Sequence, residues 1–271
     1  MKKTLLAIIA LLIIVTTCFG VVACSSGTKY VANAITGAED EQYGLCVGKS
    51  ASKKAEIIAA MNEVINSVDM DKIVEYYTAL AGDKTPSVEL DFADLSDNTA
   101  GTLQVYTCSG FEPYEFVDAS NNVIGADIYL MELVCEKLNM KINVNDMDFD
   151  GIVSKITTED NAVGAAGITI TADRAESVEF STPYYSSVQY IVSKESENFT
   201  SLDKLAGKKI GVQKGTTGCT LVTEAIASGV LKDTGATVVE YDTGAVAMTA
   251  LKAGKIDSIV IDELPAKKLV D

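Results

Sequence analysis

The residues that decide the fold are AGITITADR at positions 166–174, followed by VEFSTPYY at positions 178–185. A run of small and apolar residues leads to Gly167, which is typical of a buried strand whose last carbonyl can approach a ligand closely. Thr169 adds a hydroxyl group, and Arg174 lies just beyond the strand. Because a guanidinium matches a carboxylate with two parallel hydrogen bonds, this pattern suits a small carboxylic ligand. A surface ion pair between Arg174 and Glu176 or Glu179 is the alternative.

Strands and helices alternate on both sides of this stretch, in two separate series. Two βαβ series predict two α/β lobes with right-handed crossovers, a cleft between the lobes, and ligand sites at the carboxyl ends of the strands. The predicted strands are 103–107, 142–145, 162–168, 209–213, 237–241 and 258–261, and the predicted helices are 127–138, 149–156, 217–227, 245–253 and 265–270.

The part of the chain before residue 103 has a different pattern. Apolar residues recur every three or four positions over 53–68, which predicts an amphipathic helix with Ser52 as its N-cap. Asp69 can cap a second helix, and residues 43–47 read as a short strand. Residues 83–102 lose the apolar period, so we expect them to form a solvated linker.

Composition and charge exclude several classes of function. The 271 residues include 22 basic and 38 acidic side chains and no histidine, and the net charge is -16. Without an imidazole there is no Ser-His or Cys-His catalytic pair and no histidine metal ligand. So negative a chain does not suit the phosphate backbone of nucleic acids.

The first residues resemble an export signal. Lys2 and Lys3 precede an apolar stretch over 5–15, which is too short to span a membrane, and residues 21–24 read VVAC. This ending resembles a bacterial lipobox, which implies that residues 1–23 are removed and that Cys24 is lipidated. The mature protein would then be extracytoplasmic, in the periplasm or on the outer face of the cytoplasmic membrane, and held there by acyl chains.

Four cysteines follow this segment, at positions 46, 108, 135 and 219. Their spacing matches neither a small disulfide scaffold nor a CxxC metal pattern. An oxidising compartment would permit disulfides, but we expect buried free thiols, because unpaired cysteine is commonly a core residue.

Two later segments also carry groups that suit a charged ligand. Residues 211–218, GVQKGTTG, form a glycine-bearing turn that opens a helix, and its free N–H groups suit an anion. A plain helix cap is the alternative. Residues 254–262, GKIDSIVID, place Asp262 at the carboxyl end of an apolar strand, where a lone carboxylate needs a cation or serves as the N-cap of the next helix.

These strings resemble the extracytoplasmic amino-acid-binding proteins of ABC importers, which are bacterial solute-binding proteins of family 3. The likeness runs from about residue 103 to the end of the chain and implies the two-lobe, type II periplasmic-binding-protein fold. It implies that Arg174 holds the α-carboxylate of the ligand. The carbonyl of Gly167 and the hydroxyl of Thr169 would accept hydrogen bonds from the α-ammonium.

The same resemblance assigns the remaining ligand residues. Thr217 and Gly215 would donate backbone N–H groups to the carboxylate, and Asp262 would pair with the ammonium. Phe111 and Phe149 would enclose the ligand side chain, with core packing as the alternative for both.

Cys108 departs from the family pattern at a ligand-binding position. Many relatives carry Asp or another polar residue there to read the ligand side chain. The missing carboxylate weakens the case for Lys, Arg or His as the ligand.

The order of the segments also departs from the family. The family normally continues past the strand of Asp262 through a hinge strand and two helices, whereas this sequence ends at Asp271. Residues 41–49, EQYGLCVGK, and the two helices after them resemble that segment, which implies a circularly permuted chain; a fragment of a tandem array is the alternative. The implied lobes are 48–187, including the linker 83–102, and 28–42 with 191–271, joined by hinges near 43–47 and 186–193.

The resemblance implies a monomeric binding protein without a cofactor or metal. It would capture an L-amino acid and deliver it to an ABC permease. A ligand-sensing module is one alternative. An enzyme of the dehydratase type, with Glu112 or Glu115 as an acid, is another.

Overall fold

The computed structural model describes residues 27–271, so the predicted export signal at 1–23 and the predicted lipid site at Cys24 lie outside the described residues. The helices are α1 (Lys54–Ser67), α2 (Met70–Ala81), α3 (Ala126–Lys137), α4 (Phe149–Thr158), α5 (Ala172–Ser177), α6 (Thr217–Ala227), α7 (Gly244–Lys252) and α8 (Glu263–Val270).

The strands of the first half are β1 (Tyr30–Ala34), β2 (Glu41–Tyr43), β3 (Cys46–Gly48), β4 (Thr102–Thr107), β5 (Phe116–Val117), β6 (Val123–Ile124) and β7 (Lys141–Asp146). Those of the second half are β8 (Ala162–Gly164), β9 (Val178–Phe180), β10 (Tyr185–Ser187), β11 (Gln189–Lys194), β12 (Lys209–Gln213), β13 (Thr237–Tyr241) and β14 (Ser258–Asp262).

Two five-stranded sheets form the centres of two lobes. The first lobe has the order β7-β4-β8-β3-β9, and the second has the order β1-β11-β14-β12-β13. In each lobe three neighbouring strands are parallel, as the βαβ pattern predicts, and antiparallel strands extend the sheet on one side. The two-lobe α/β fold predicted from the sequence is therefore confirmed.

A two-stranded ribbon joins the lobes. β2 pairs with β10 in antiparallel register, so that Tyr43 lies opposite Tyr185 and Glu41 lies opposite Ser187. One chain crossing runs from β1 through β2 to β3, and the other runs from β9 through β10 to β11. Both crossings therefore pass beside the cleft between the two sheets.

The loop after β4 lies beside the cleft and packs against the start of α3, where the backbone at Gly125 approaches the carbonyl of Tyr114. Gly125 has φ +143°, and a Cβ atom there would lie 2.0 Å from the carbonyl oxygen of Tyr114. The N–H of Asp127 donates to that same carbonyl at 3.0 Å. Only glycine permits this approach, which places Glu115 and Asp127 side by side beneath the cleft.

Several predicted elements differ in extent from those observed. The strand predicted at 43–47 is interrupted at residues 44 and 45, and the strand predicted at 162–168 ends at Gly164. The reason is that residues 168–170 turn to meet the ribbon: Gly44 N–H donates to Ile168 O at 3.0 Å, and Ile170 N–H donates to Gln42 O at 2.8 Å.

The ends of the first two helices test the predicted caps. Asp69 does cap α2, because its side chain accepts from Lys72 N–H. Ser52 does not cap α1; its N–H and its hydroxyl both donate to Asp160.

The linker predicted at 83–102 has no helix or strand before Thr102, but it is only partly solvated. Tyr129 Oη donates to Asp91 O at 2.9 Å, and Asn98 Nδ2 donates to Met140 O at 2.8 Å. The segment therefore lies against α3.

The four described cysteines are unpaired; Cys46, Cys108 and Cys135 are buried, and Cys219 is half-buried. Within residues 27–271, no helix combines the length and the apolar character that a membrane crossing needs.

Candidate functional site

A closed cavity lies between the lobes, and it brings together all but one of the ligand residues selected from the sequence. Its free space, about 10 Å³, holds about one water molecule. An amino acid can therefore enter only when the lobes separate. The lining residues are Cys108, Phe111, Glu115, Phe149, Ala166, Gly167, Thr169, Arg174, Gln213, Thr216, Thr217 and Asp262.

Arg174 reaches from the first lobe to the second. Its Nη1 donates to Thr169 O at 2.7 Å, and its Nη2 donates to Gly215 O at 3.0 Å. The guanidinium also lies 5.3 Å from the centroid of the Phe149 ring. Burial lowers the pKa of Arg174, although nearby negative groups oppose that shift. The alternative surface pair with Glu176 or Glu179 is not observed among the described residues, where Glu179 pairs with Lys54 at 2.7 Å.

Asp262 approaches the cavity from the second lobe. Its side chain is 4% exposed, and Oδ1 accepts from Tyr43 Oη at 2.7 Å. Although Asp262 occupies the N-cap position of α8, its side chain makes no capping hydrogen bond. Burial raises the pKa of Asp262 to about 6, and the charge of Glu41 contributes to the rise.

The turn before α6 brings a helix N-terminus to the cavity. Thr216 is the N-cap, and its hydroxyl accepts from Cys219 N–H at 3.2 Å. Thr217 is the first helical residue and lines the cavity. Gly215 is the one selected residue outside the lining; it has φ +75°, and a Cβ atom there would lie 2.7 Å from Asp150 Cβ in the first lobe. The carbonyl of Gly215, rather than its N–H, faces Arg174.

Two aromatic rings form the walls of the cavity. Phe149 lies on the face with Arg174, and Phe111 lies against Gly167. Gly167 has φ +54°, and a Cβ atom there would lie 2.5 Å from Phe111 Cε1. Phe111 also contacts Tyr114, with ring centroids 5.7 Å apart, so it serves both the core and the cavity.

Cys108 contributes a neutral wall. The side chain is buried, and burial raises the pKa of its thiol to about 11. Gln213 Nε2 lies 3.5 Å from Sγ. A thiol in this state does not replace a carboxylate.

Glu115 also lines the cavity, although the sequence suggested it only as the acid of a dehydratase-type enzyme and not as a ligand-binding residue. It is fully buried, and within the described part of the chain neither carboxyl oxygen has a hydrogen-bond partner. Burial, and then the charge of Asp127, raise the pKa of Glu115 well above its ordinary value. This environment therefore favours the protonated form of the Glu115 carboxyl group in the absence of a cation. The available signal was its position in the aromatic segment FEPYEF, at 111–116.

Asp127 supports the floor of the cavity. Its carboxylate accepts from Gly167 N–H at 2.8 Å and from Tyr184 Oη at 2.7 Å. Burial raises the pKa of Asp127 to about 6. Among the described residues, no group of three or more His, Cys, Asp and Glu side chains is arranged to hold a metal ion.

Comparisons with known proteins relate this chain to one family. The family model of the bacterial extracellular solute-binding proteins, family 3, matches residues 103–233. A putative ABC transporter arginine-binding protein 2 of Escherichia coli (strain K12) is 31% identical over 168 residues, which are 62% of this chain and 66% of that protein. A probable histidine-binding protein of Campylobacter jejuni is 33% identical over 171 residues, 63% of each chain.

The solved structure of an ancestral arginine-binding protein bound to arginine is 39% identical, with a TM-score of 0.56 over 60% of this chain and 70% of that one. In the two bacterial proteins, the match spans slightly less than two thirds of their length. On this likeness in sequence and in fold, the chain belongs to the bacterial extracellular solute-binding proteins, family 3.

Proposed function

We propose that this protein captures an L-amino acid between its two lobes and delivers it to an ABC permease. The observation that carries the proposal is the presence of a guanidinium, Arg174, and a carboxylate, Asp262, from different lobes in one closed cavity. The relatives are named as binding proteins and not as enzymes.

In the proposed complex, the α-carboxylate lies on Arg174 and on the backbone N–H of Thr217 at the start of α6. The α-ammonium lies on Asp262, the carbonyl of Gly167 and the hydroxyl of Thr169. Because each charged group of the ligand would contact residues of both lobes, ligand binding favours the closed form over the open one.

A thermal-shift screen of the common protein amino acids and cystine tests this function. A ligand that binds only the folded protein raises the melting temperature, and the rise grows with the logarithm of its concentration relative to Kd. Recovery of the same compound, unchanged, after incubation excludes an enzymatic conversion. If no amino acid shifts the melting temperature, the proposed function is wrong.

We further propose that the ligand has a basic side chain. The relatives are named for arginine and histidine, and Glu115 is a buried acid with no protein partner inside the cavity. A guanidinium placed beside Glu115 would favour the charged form of its carboxyl group and donate hydrogen bonds to the two unpartnered oxygens. Arginine should therefore bind at least about tenfold more tightly than citrulline, its neutral isostere, and Glu115→Gln should reduce that preference. Equal affinity for the two compounds would contradict this assignment.

We also propose that the protein is monomeric, extracytoplasmic and anchored by a lipid on Cys24. The family name and the sequence over residues 1–24 support this location. Cys24→Ala should release the protein from the membrane fraction without changing its ligand affinity.

The chain order is proposed to be a circular permutation of the family order. Two observations support it: β1 pairs with β11 in the second lobe, while β3, which follows the ribbon strand β2, joins the sheet of the first lobe. The sequential match to the solved relative covers 60% of this chain.

A further inference from the structure

Glu41 makes a three-way contact at the mouth of the cleft. Its Oε2 accepts from Thr169 Oγ1 at 2.9 Å and from Thr217 Oγ1 at 2.5 Å. Its Oε1 accepts from Gln189 Nε2 at 3.3 Å. We call these contacts the Glu41 bridge.

The donors of the Glu41 bridge belong to different parts of the molecule. Thr169 follows β8 in the first lobe, Thr217 begins α6 in the second lobe, and Gln189 begins β11. Glu41 itself lies on the ribbon strand β2. One carboxylate oxygen therefore joins a hydroxyl of each lobe, a contact that requires the lobes to be closed.

The Glu41 bridge also separates two spaces. Thr169 and Thr217 line the closed ligand cavity, and they also line an open cavity of about 620 Å³ at the cleft mouth. Glu41 lines the open cavity but not the closed one. Its carboxylate therefore stands at the boundary between the ligand and the solvent.

We propose that Glu41 is a positioning residue for ligand binding. It stabilises the closed form and orients the Thr169 hydroxyl. This inference rests on the proposed function. A hydroxyl has one hydrogen, so donation to Glu41 turns the lone pairs of Thr169 Oγ1 toward the place where the α-ammonium would lie. Without Glu41, that hydroxyl could donate elsewhere and lose its acceptor role.

The negative charge of Glu41 should also favour binding of the α-ammonium. The carboxylate lies at the N-terminus of α6, where the helix dipole favours a negative group. It also adds to the negative potential around Asp262, whose pKa is raised first by burial and then by the charge of Glu41. A cationic α-ammonium therefore meets two carboxylates, one in direct contact and one behind Thr169.

The experiment compares Glu41→Gln and Glu41→Ala with Glu39→Gln and Glu39→Ala. Glu39 is an exposed carboxylate that lines the same open cavity, so it controls for charge at the cleft mouth. The probe is whichever common amino acid, or cystine, gives the largest thermal shift with the wild type. We expect Glu41→Ala to weaken binding at least about tenfold, Glu41→Gln less because its amide oxygen still accepts, and the Glu39 variants within about twofold of the wild type.

Two further measurements separate positioning from a general structural role. The bridge forms only on closure, so the melting temperature of the ligand-free protein should be unchanged in Glu41→Ala. Thr217→Val keeps the backbone N–H but removes the hydroxyl that donates to Glu41. It should therefore weaken ligand binding in the wild type, but cause little further loss of affinity in a protein that already carries Glu41→Ala.

The inference is overturned if Glu41→Ala binds the ligand as tightly as the wild type, or if the Glu39 variants lose as much affinity as the Glu41 variants. It is also overturned if the affinity losses of Glu41→Ala and Thr217→Val add fully in the double variant. Failure of the wild type to bind any amino acid would instead overturn the proposed function. The two failures are therefore distinguishable.

Discussion

Within residues 27–271, Arg174 donates two of its five N–H groups to backbone carbonyls, one in each lobe. The remaining donors are available for a carboxylate. Truncating one partner of a buried charge pair costs about 2 to 5 kcal/mol, so Arg174→Ala should weaken ligand binding at least about thirtyfold. Isothermal titration calorimetry measures the effect, with Arg174→Lys as the variant that keeps the charge but not the planar fork. An unchanged affinity in Arg174→Ala would remove this residue from the site.

Asp262 should make the ligand-free protein less stable than its amide variant at neutral pH. Its pKa in the folded protein is about 6, above the ordinary value of 3.8, so the folded state holds a proton at pH values where the unfolded chain has lost it. Above pH 6 the buried carboxylate is charged, and this buried charge lowers the free energy of unfolding. Asp262→Asn should therefore raise the stability of the ligand-free protein by up to about 3 kcal/mol at pH 8, and the gain should vanish as the pH falls below the unfolded pKa of 3.8.

Thermal melts of the wild type and of Asp262→Asn across this pH range provide the measurement. Asp262→Asn should also lose the stabilisation that the ligand gives to the wild type, because an amide does not attract the ammonium. A variant that is less stable than the wild type at pH 8 would contradict the assigned cause of the pKa shift.

The turn after β8 illustrates how one element positions the site. At Gly167, φ is +54° and the missing Cβ leaves room for the Phe111 ring. Gly167→Ala should cost about 1 to 2 kcal/mol of stability from backbone strain and should also push Phe111 into the cavity, with at least about a tenfold loss of affinity.

Gly235→Ala is the matched control for this substitution. Gly235 has φ +80°, and a Cβ atom there would meet nothing within 4 Å. Gly235→Ala should therefore lose stability through backbone strain but bind the ligand with the affinity of the wild type. Chemical denaturation and calorimetry on both variants separate the two effects; equal affinities in the two variants would show that Phe111 does not shape the ligand site.

Elements with a clear period and clear ends were predictable from the sequence. β12, β13 and α6 have the predicted bounds, because apolar alternation and the N-cap at Thr216 are local signals. The ribbon strand β10 was not predicted, because its three residues form a strand only against β2, which is distant in sequence.

The same distinction between local and distant signals applies to the site. Arg174, Asp262 and the turn before α6 could be selected because each lies at the end of a recognisable element. The role of Glu41 could not be read from its neighbours, because its threonine partners are 128 and 176 residues away in the chain. The sequence suggested Glu115 only as the acid of a dehydratase-type enzyme. Its place in the wall of the ligand cavity is seen only in the structure.

At the scale of the whole molecule, the chain starts in the second lobe, crosses to the first lobe and then returns to the second. The first lobe receives β3, α1 and α2 from the front of the chain, and the second lobe receives β1. Thr28 and Lys29 line the same surface cavity as Asp271, so both ends of the described chain lie on one side of the second lobe.

This proximity allows the proposed permutation to be tested by rearranging the chain. A protein that starts at Asp83, continues through Asp271 and a short flexible linker to Gly27, and ends at Gly82 would keep every strand pairing. Asp83 is exposed, and loops of this kind tolerate new chain ends. We expect the rearranged protein to melt within a few degrees of the wild type and to bind the same amino acid with an affinity within about threefold, because a break at an exposed loop leaves the site contacts intact. Circular dichroism melts and calorimetry measure both quantities. A rearranged chain that does not fold, although the wild type does, would show that the connection at residues 82 and 83 is required by the fold and would count against permutation.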